Sequence, residues 1–109
     1  MPNNAASLAG DPFEALGDDH RRSILRLLSG GGRSVGDIAA ELPISRPAVS
    51  RHLRLLKDAR LVSEHSEGTR RIYELDGEGA AAVQEYLLGV WGDVAARFRL
   101  LADNSLERR

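Results

Sequence analysis

The sequence predicts a mainly α-helical domain carrying one small β-hairpin, in the order α-α-α-α-β-β-α. Three observations predict it. Apolar residues recur at helical spacing in four stretches before residue 60, each opening on Asp or Ser, and again in one long stretch after residue 80. Between residues 61 and 75 the period changes, and β-forming residues flank a glycine. The chain has 109 residues, 42% hydrophobic and 28% charged, enough for one small core and not for two.

Residues 1–10 are small and polar, the composition of a disordered segment. Asp11-Pro12 starts a short helix that runs through Phe13 and Leu16 and stops at Gly17, with Asp as cap and Pro at the first helical position. Asp18 or Asp19 caps the second helix, whose core face is Ile24, Leu25, Leu27 and Leu28. Gly30-Gly31-Gly32 ends it; no Gly-Lys-Ser/Thr follows, so the triplet reads as a helix end and connector rather than a phosphate loop. Ser34 caps a third helix with Asp37 three residues on, a capping-box spacing with Asp in place of Glu. That helix puts Val35, Ile38, Ala39 and Leu42 at helical spacing and stops at Pro43.

Ser45 caps the fourth helix, from Arg46 to about Asp58, with Val49, Leu53 and Leu56 as its inward stripe. Leu61–Ser66 and Arg70–Leu75 read as the two hairpin strands around Glu67-Gly68-Thr69. Asp76-Gly77-Glu78-Gly79 reads as a turn. The last helix spans 80 to about 102, and its apolar positions Val83, Leu87, Val90, Val94, Phe98 and Leu101 are widened by Tyr86, Leu88, Trp91 and Leu100. So wide a stripe on so small a domain predicts a partner helix as well as a core. The folded domain is expected over 11–102, with a polar tail at 103–109.

Composition excludes several function classes. There is no Cys, hence no disulfide, thiolate metal site, iron–sulfur cluster or cysteine redox chemistry. No apolar run approaches the roughly 20 residues of a membrane span, and the first residues lack a basic-then-apolar signal pattern. A cytoplasmic protein without a membrane partner is expected. No nucleophile, base and orienting group fall into a catalytic pattern, so no enzyme activity is expected. His20, His52 and His65 lie in separate elements, and a shared metal site would need the fold to bring them together. No metal and no cofactor are therefore expected.

Charge is uneven. Residues 1–19 carry four acids and no base, whereas residues 46–73 carry seven bases against three acids. A basic middle between acidic ends suits a protein that presents one face to phosphate. That middle contains two short helices joined by the turn Leu42-Pro43-Ile44. A second helix of this kind fits a DNA major groove about 12 Å wide. With its apolar stripe inward, helical geometry places Arg46, Pro47, Ser50, Arg51 and Arg54 outward. Arg and Ser near the N-terminal end suit base edges, Ser45 and nearby amides suit a phosphate, and Arg54 and Lys57 suit the backbone. Arg70 and Arg71, past the hairpin tip, suit a narrow minor groove.

The run Ser34-Val35-Gly36-Asp37-Ile38-Ala39-Ala40-Glu41-Leu42-Pro43-Ile44-Ser45, continuing through Val49-Ser50-Arg51-His52-Leu53 to Leu61-Val62, resembles the winged helix-turn-helix of ArsR-type bacterial repressors. So do the opening Phe13-Glu14-Ala15-Leu16-Gly17-Asp18 and the hairpin Gly68-Thr69-Arg70-Arg71-Ile72-Tyr73. The resemblance covers roughly residues 11–102. It implies a homodimer that binds double-stranded operator DNA, with base-reading positions at Arg46, Pro47, Ser50 and Arg51 and with His52 and Arg54 flanking them. It implies an interface from the first and last helices, which carry Phe13, Leu16, Val83, Tyr86, Leu87, Val90, Trp91, Val94 and Phe98. Two family sensor sites are missing: a Cys-x-Cys pair, replaced by Ser34-Val35-Gly36-Asp37, and a His-containing set on the last helix, which here has Glu85 and Asp93 but no His. The chain thus resembles the metal-independent branch. Arg60 stands where the family often has Gly, which implies strain if the backbone there has positive φ. Two alternatives remain open at this stage: a winged-helix protein-interaction module without a DNA role, and a metal- or ligand-responsive repressor of the same type.

Overall fold

A computed structural model describes residues 9–107, with side chains described throughout except at 95 and 98–107. The order is α1 (Pro12–Ala15), α2 (Asp19–Leu28), β1 (Arg33–Ser34), α3 (Val35–Glu41), α4 (Arg46–Asp58), β2 (Val62–Glu67), β3 (Arg70–Leu75) and α5 (Gly77–Glu107). Residues 1–8 of the expected N-terminal segment, and the last two residues of the expected tail, lie outside the described residues.

Local chemistry sets the helix starts. Asp11 accepts from the Phe13 amide, Asp18 from Arg21, Ser34 from Asp37 and Ser45 from Ala48, so each of the first four α-helices begins on a side-chain oxygen. α2 and α4 are strongly one-sided, and they meet α3 and the sheet around Ile24, Leu28, Ile38, Val49, Leu53, Leu56 and Val62, all of them buried. No buried side-chain polar atom among the described residues lacks a partner.

The sheet has three strands in the order β1-β3-β2, not the hairpin alone. β1 is two residues long and pairs Arg33 with Tyr73 and Ser34 with Ile72. Gly32 permits that approach, since a Cβ there would lie 2.8 Å from Ile72 Cγ2. β2 and β3 pair from Val62–Leu75 out to Glu67–Arg70, leaving a two-residue loop, Gly68-Thr69. Gly68 has φ 63°, as the first position of a tight hairpin turn demands.

Two further features depart from the sequence expectation or sharpen it. α4 ends in a Schellman turn: the Arg60 amide donates to Lys57 O and the Leu61 amide to Leu56 O. Arg60 accordingly has φ 60°, the strained conformation foreseen for a non-glycine residue there, at a cost of about 1–2 kcal/mol. α5 begins at Gly77, earlier than expected, because Asp76 accepts from the Glu78 amide; it also continues beyond 102 to Glu107.

Candidate nucleic-acid interface

α3 and α4 form the two arms of a helix-turn-helix, joined by Leu42 to Ser45. Burial of Val49, Leu53 and Leu56 fixes the roll of α4, and this leaves Ser45, Arg46, Pro47, Ser50, Arg51 and Arg54 exposed. Arg46 lies across the start of α3: a Cβ on Gly36 would sit 3.7 Å from its guanidinium. Arg46, Arg51 and Arg54 make no ion pair among the described residues. Three unneutralised guanidinium groups thus share one exposed edge.

The expected phosphate anchor is narrower than the sequence reading had it. The Ser45 hydroxyl oxygen accepts from the Ala48 amide at 3.2 Å and keeps its own O–H to donate, the Val49 amide goes to Ser45 O, and Pro47 has no N–H. Of the amides in that turn, only that of Arg46 is left.

The remaining cations of the expected DNA-binding set are paired with acidic residues. Arg70 donates to Asp37 at 2.7 Å and to the Ser34 hydroxyl at 3.0 Å, tying the wing to the start of α3. Lys57 and Arg71 share one acceptor, Glu64 Oε1, at 2.7 and 3.1 Å. Opposite charges within reach, unseen in a linear reading, account for all three. Arg70 and Arg71 are 58% and 63% exposed, and exposed pairs are worth about 0–1 kcal/mol, so a phosphate can compete for both.

Glu64 is the electrostatic hub of the wing. The Lys57 hydrogen bond, then those of Tyr73 and Arg71, bring its carboxyl from 4.5 down to about 2. A depressed carboxyl stabilises the fold above its unfolded value, and that stability fades as pH falls from about 4.5 through about 2. Glu64→Gln should therefore cost on the order of 1–2 kcal/mol at pH 7, after solvent screening of its partners. Urea denaturation at pH 7 and pH 2.5 checks it. The gap between wild type and variant should shrink at the lower pH, and an unchanged gap would remove the ionised carboxylate as its source.

His52, expected beside the reading face, is half-buried and turns toward α2. Its Nδ1 accepts from Arg21 at 3.2 Å, and its ring lies 5.9 Å from that of His20. Burial, first among the causes, lowers the pKa of His52 below the usual histidine value. His65 is elsewhere, on β2, with Glu67 and Glu74 at 3.1 and 3.5 Å.

The family model described as "Bacterial regulatory protein, arsR family" matches residues 18–64, from the start of α2 into the wing. The HTH-type transcriptional regulator Rv2034 of Mycobacterium tuberculosis is 45% identical over 92 residues, covering 84% of this chain and 86% of that protein. The chain belongs to the ArsR family. The transcriptional repressor SdpR of Bacillus subtilis is also 45% identical, over 59% of this chain and 71% of its own. A crystal structure of a possible transcriptional regulator for arsenical resistance superposes with a TM-score of 0.69 at 38% identity, covering 85% of this chain and 95% of that one. The solution structure of the homodimeric winged helix-turn-helix DNA-binding domain Mb0332 from Mycobacterium bovis gives 0.59 at 32% identity, over 90% of this chain and 81% of that one.

In this ArsR-family chain the winged helix-turn-helix is complete; α1 adds Ala15 to its core, and the middle of α5 lies outside it. α5 is weakly one-sided, and Tyr86, Leu87, Leu88, Val90, Trp91 and Val94 are each about half exposed or more. Phe13, 43% exposed, packs edge-on against Tyr86 at 5.3 Å, and Tyr86 against Trp91 at 6.3 Å, so the residues expected at an interface form one apolar strip. Leu16 and Val83 line a half-open apolar hollow with Leu25, Leu61 and Leu75. Phe98 falls among the undescribed side chains. No helix among the described residues is long and apolar enough to cross a membrane.

Proposed function

We propose that this ArsR-family chain is a repressor that binds, as a homodimer, a pseudo-palindromic operator in a promoter, its own promoter included. The observation that carries the proposal is the exposed, unneutralised edge of α4. A monomer or a protein-interaction module has no use for three bare guanidinium groups beside a helix start. A major groove does: Arg46 and Arg51 reach guanine O6 and N7, Ser50 reaches a base edge, and Arg54 meets phosphate. Pro47 pre-sets the first turn. Lys57, Arg70 and Arg71 exchange their carboxylates for backbone phosphates, and His52 supports α4 from behind rather than touching DNA.

The partner is a second copy of the chain. Half-exposed aromatic and aliphatic residues from Tyr86 to Val94 of α5, continuous with Phe13 of α1, form an apolar strip of the kind that marks an interface. A two-fold axis through that strip would present two α4 edges to one face of a duplex, where half-sites about one turn apart require roughly 34–36 Å. The homodimeric state of the Mycobacterium bovis neighbour agrees with this arrangement.

Selection of genomic fragments on the purified protein at a stated salt concentration tests the proposal and returns the half-site. On the recovered site, Arg51→Ala should cost roughly 1–3 kcal/mol and relax the preference at one position of each half-site. Undiminished discrimination by the variant would take Arg51 out of base reading. Recovery of fragments with no common site would overturn sequence-specific binding.

A further inference from the structure

We propose that Asp18, His20 and His52 form a binding site for an exchangeable divalent transition-metal ion of the Zn2+ class. One ligand atom from each of the three lies within 4.8 Å of the others, although His20 and His52 are far apart in sequence and sit on α2 and α4. Zn2+ bonds of about 2.0–2.1 Å put tetrahedral ligand atoms roughly 3.3 Å apart, so the groups need to close by about 1.5 Å. Side-chain rotation supplies that, since His20 is exposed and the other two are half-buried. Asp18 caps its helix through Oδ1, at 3.1 Å from the Arg21 amide, with the His20 amide also facing its carboxylate, and a carboxylate keeps lone pairs enough to add a metal.

The donor set selects the ion. Two imidazoles and one carboxylate suit Zn2+ and its neighbours, with a fourth position left to water. Ca2+ and Mg2+ want more oxygens than are gathered here. The site lies at neither place where the family resemblance puts metal ligands: it uses neither the start of α3 nor α5.

Arg21 makes occupancy conditional. Its guanidinium can only donate, so the 3.2 Å contact holds His52 Nδ1 as an acceptor and leaves the ring proton on Nε2. A metal on Nδ1 takes that lone pair, and a metal on Nε2 moves the proton to Nδ1. In both cases the contact between Arg21 and His52 is lost. Arg21 keeps its bonds to Ala15 O at 2.8 Å and Glu14 O at 3.3 Å, so α1 stays attached. The ion thus replaces one α2–α4 link with another, one residue from Arg51. The nearby guanidinium and the positive start of α2 oppose the ion, while Asp18 and Asp19 favour it; this balance, with only three ligands, describes a reversible site rather than a permanent one.

The test uses the tag-free full chain, stripped with chelator and titrated with zinc chloride by calorimetry, then with cobalt chloride by visible absorption. One ion per chain is expected, with a cobalt spectrum of four-coordinate nitrogen and oxygen ligation. His20→Ala, on an exposed side chain, and Asp18→Asn, which keeps a capping oxygen, should each weaken binding at least tenfold. His65→Ala should leave it unchanged, and circular dichroism should show all three variants folded. Absence of stoichiometric binding to the wild type would overturn the site. So would binding that survives His20→Ala, or that is lost equally in His65→Ala. None of these outcomes bears on DNA binding, so the site and the repressor proposal stand or fall separately.

Discussion

Trp91→Asp is expected to weaken self-association by roughly two orders of magnitude or more while leaving the fold intact. Trp91 is 50% exposed, and its ring contact among the described residues is Tyr86 on the same helix. The core is built without it, from α2, α3, α4, the sheet and Ala15 of α1, so a charge at position 91 costs the monomer little. At a two-fold axis each substitution acts twice. An indole at the centre of an interface typically contributes about 2–4 kcal/mol, and replacing it with a buried, unpaired carboxylate adds a desolvation cost. Sedimentation velocity should show a dimer for the wild type and a monomer for the variant at the same concentration. Operator binding should fall with it, because a monomer holds one reading helix and half the cationic edge. A variant that still sediments as the wild-type dimer would move the interface away from α5.

Sequence reasoning succeeded where a feature is local. Asp11, Ser34 and Ser45 cap their helices as expected, and Asp18 is the cap of the pair Asp18–Asp19, because an Asx or Ser oxygen needs only the amide two or three residues on. The strain at Arg60 was implied by the family resemblance, since the family often has Gly at that position. It failed where partners are distant in sequence. β1 is two residues that are strand only because Ile72 and Tyr73 lie beside them. The pairing of Arg70, Arg71 and Lys57 was not legible, since nothing in a linear reading puts Asp37 or Glu64 within hydrogen-bond reach. His20 and His52 looked unrelated for the same reason. The groove-facing edge of α4 lies between these cases: helical periodicity gives its roll from Val49, Leu53 and Leu56, but only the packed structure shows which of its cations have no carboxylate to satisfy them.

The Asp76–Gly79 stretch shows how far a turn assignment falls short of the packing it allows. Gly79 is buried in the first turn of α5, where its amide donates to Arg60 O at 2.8 Å. A Cβ there would lie 2.2 Å from Ala59 O and 2.9 Å from Arg60 O, both backbone atoms of the Schellman turn that closes α4. Neither atom can step aside without breaking the bonds from Arg60 to Lys57 and from Leu61 to Leu56, and Arg60 is already strained. Gly79→Ala should therefore destabilise the domain by about 3 kcal/mol, at the upper end of overpacking costs. For a domain of this size that lowers the thermal midpoint by more than roughly 10 °C. Gly77→Ala, two residues earlier, is the control: no atom lies within 4 Å of its Cβ position, and alanine suits a helix start at least as well as glycine there. Calorimetric scans of the two variants should separate them widely. Equal midpoints would mean that the α4–α5 junction yields to a methyl group, and then α5, the element proposed to carry the partner, would not be held at a fixed angle to the reading helix.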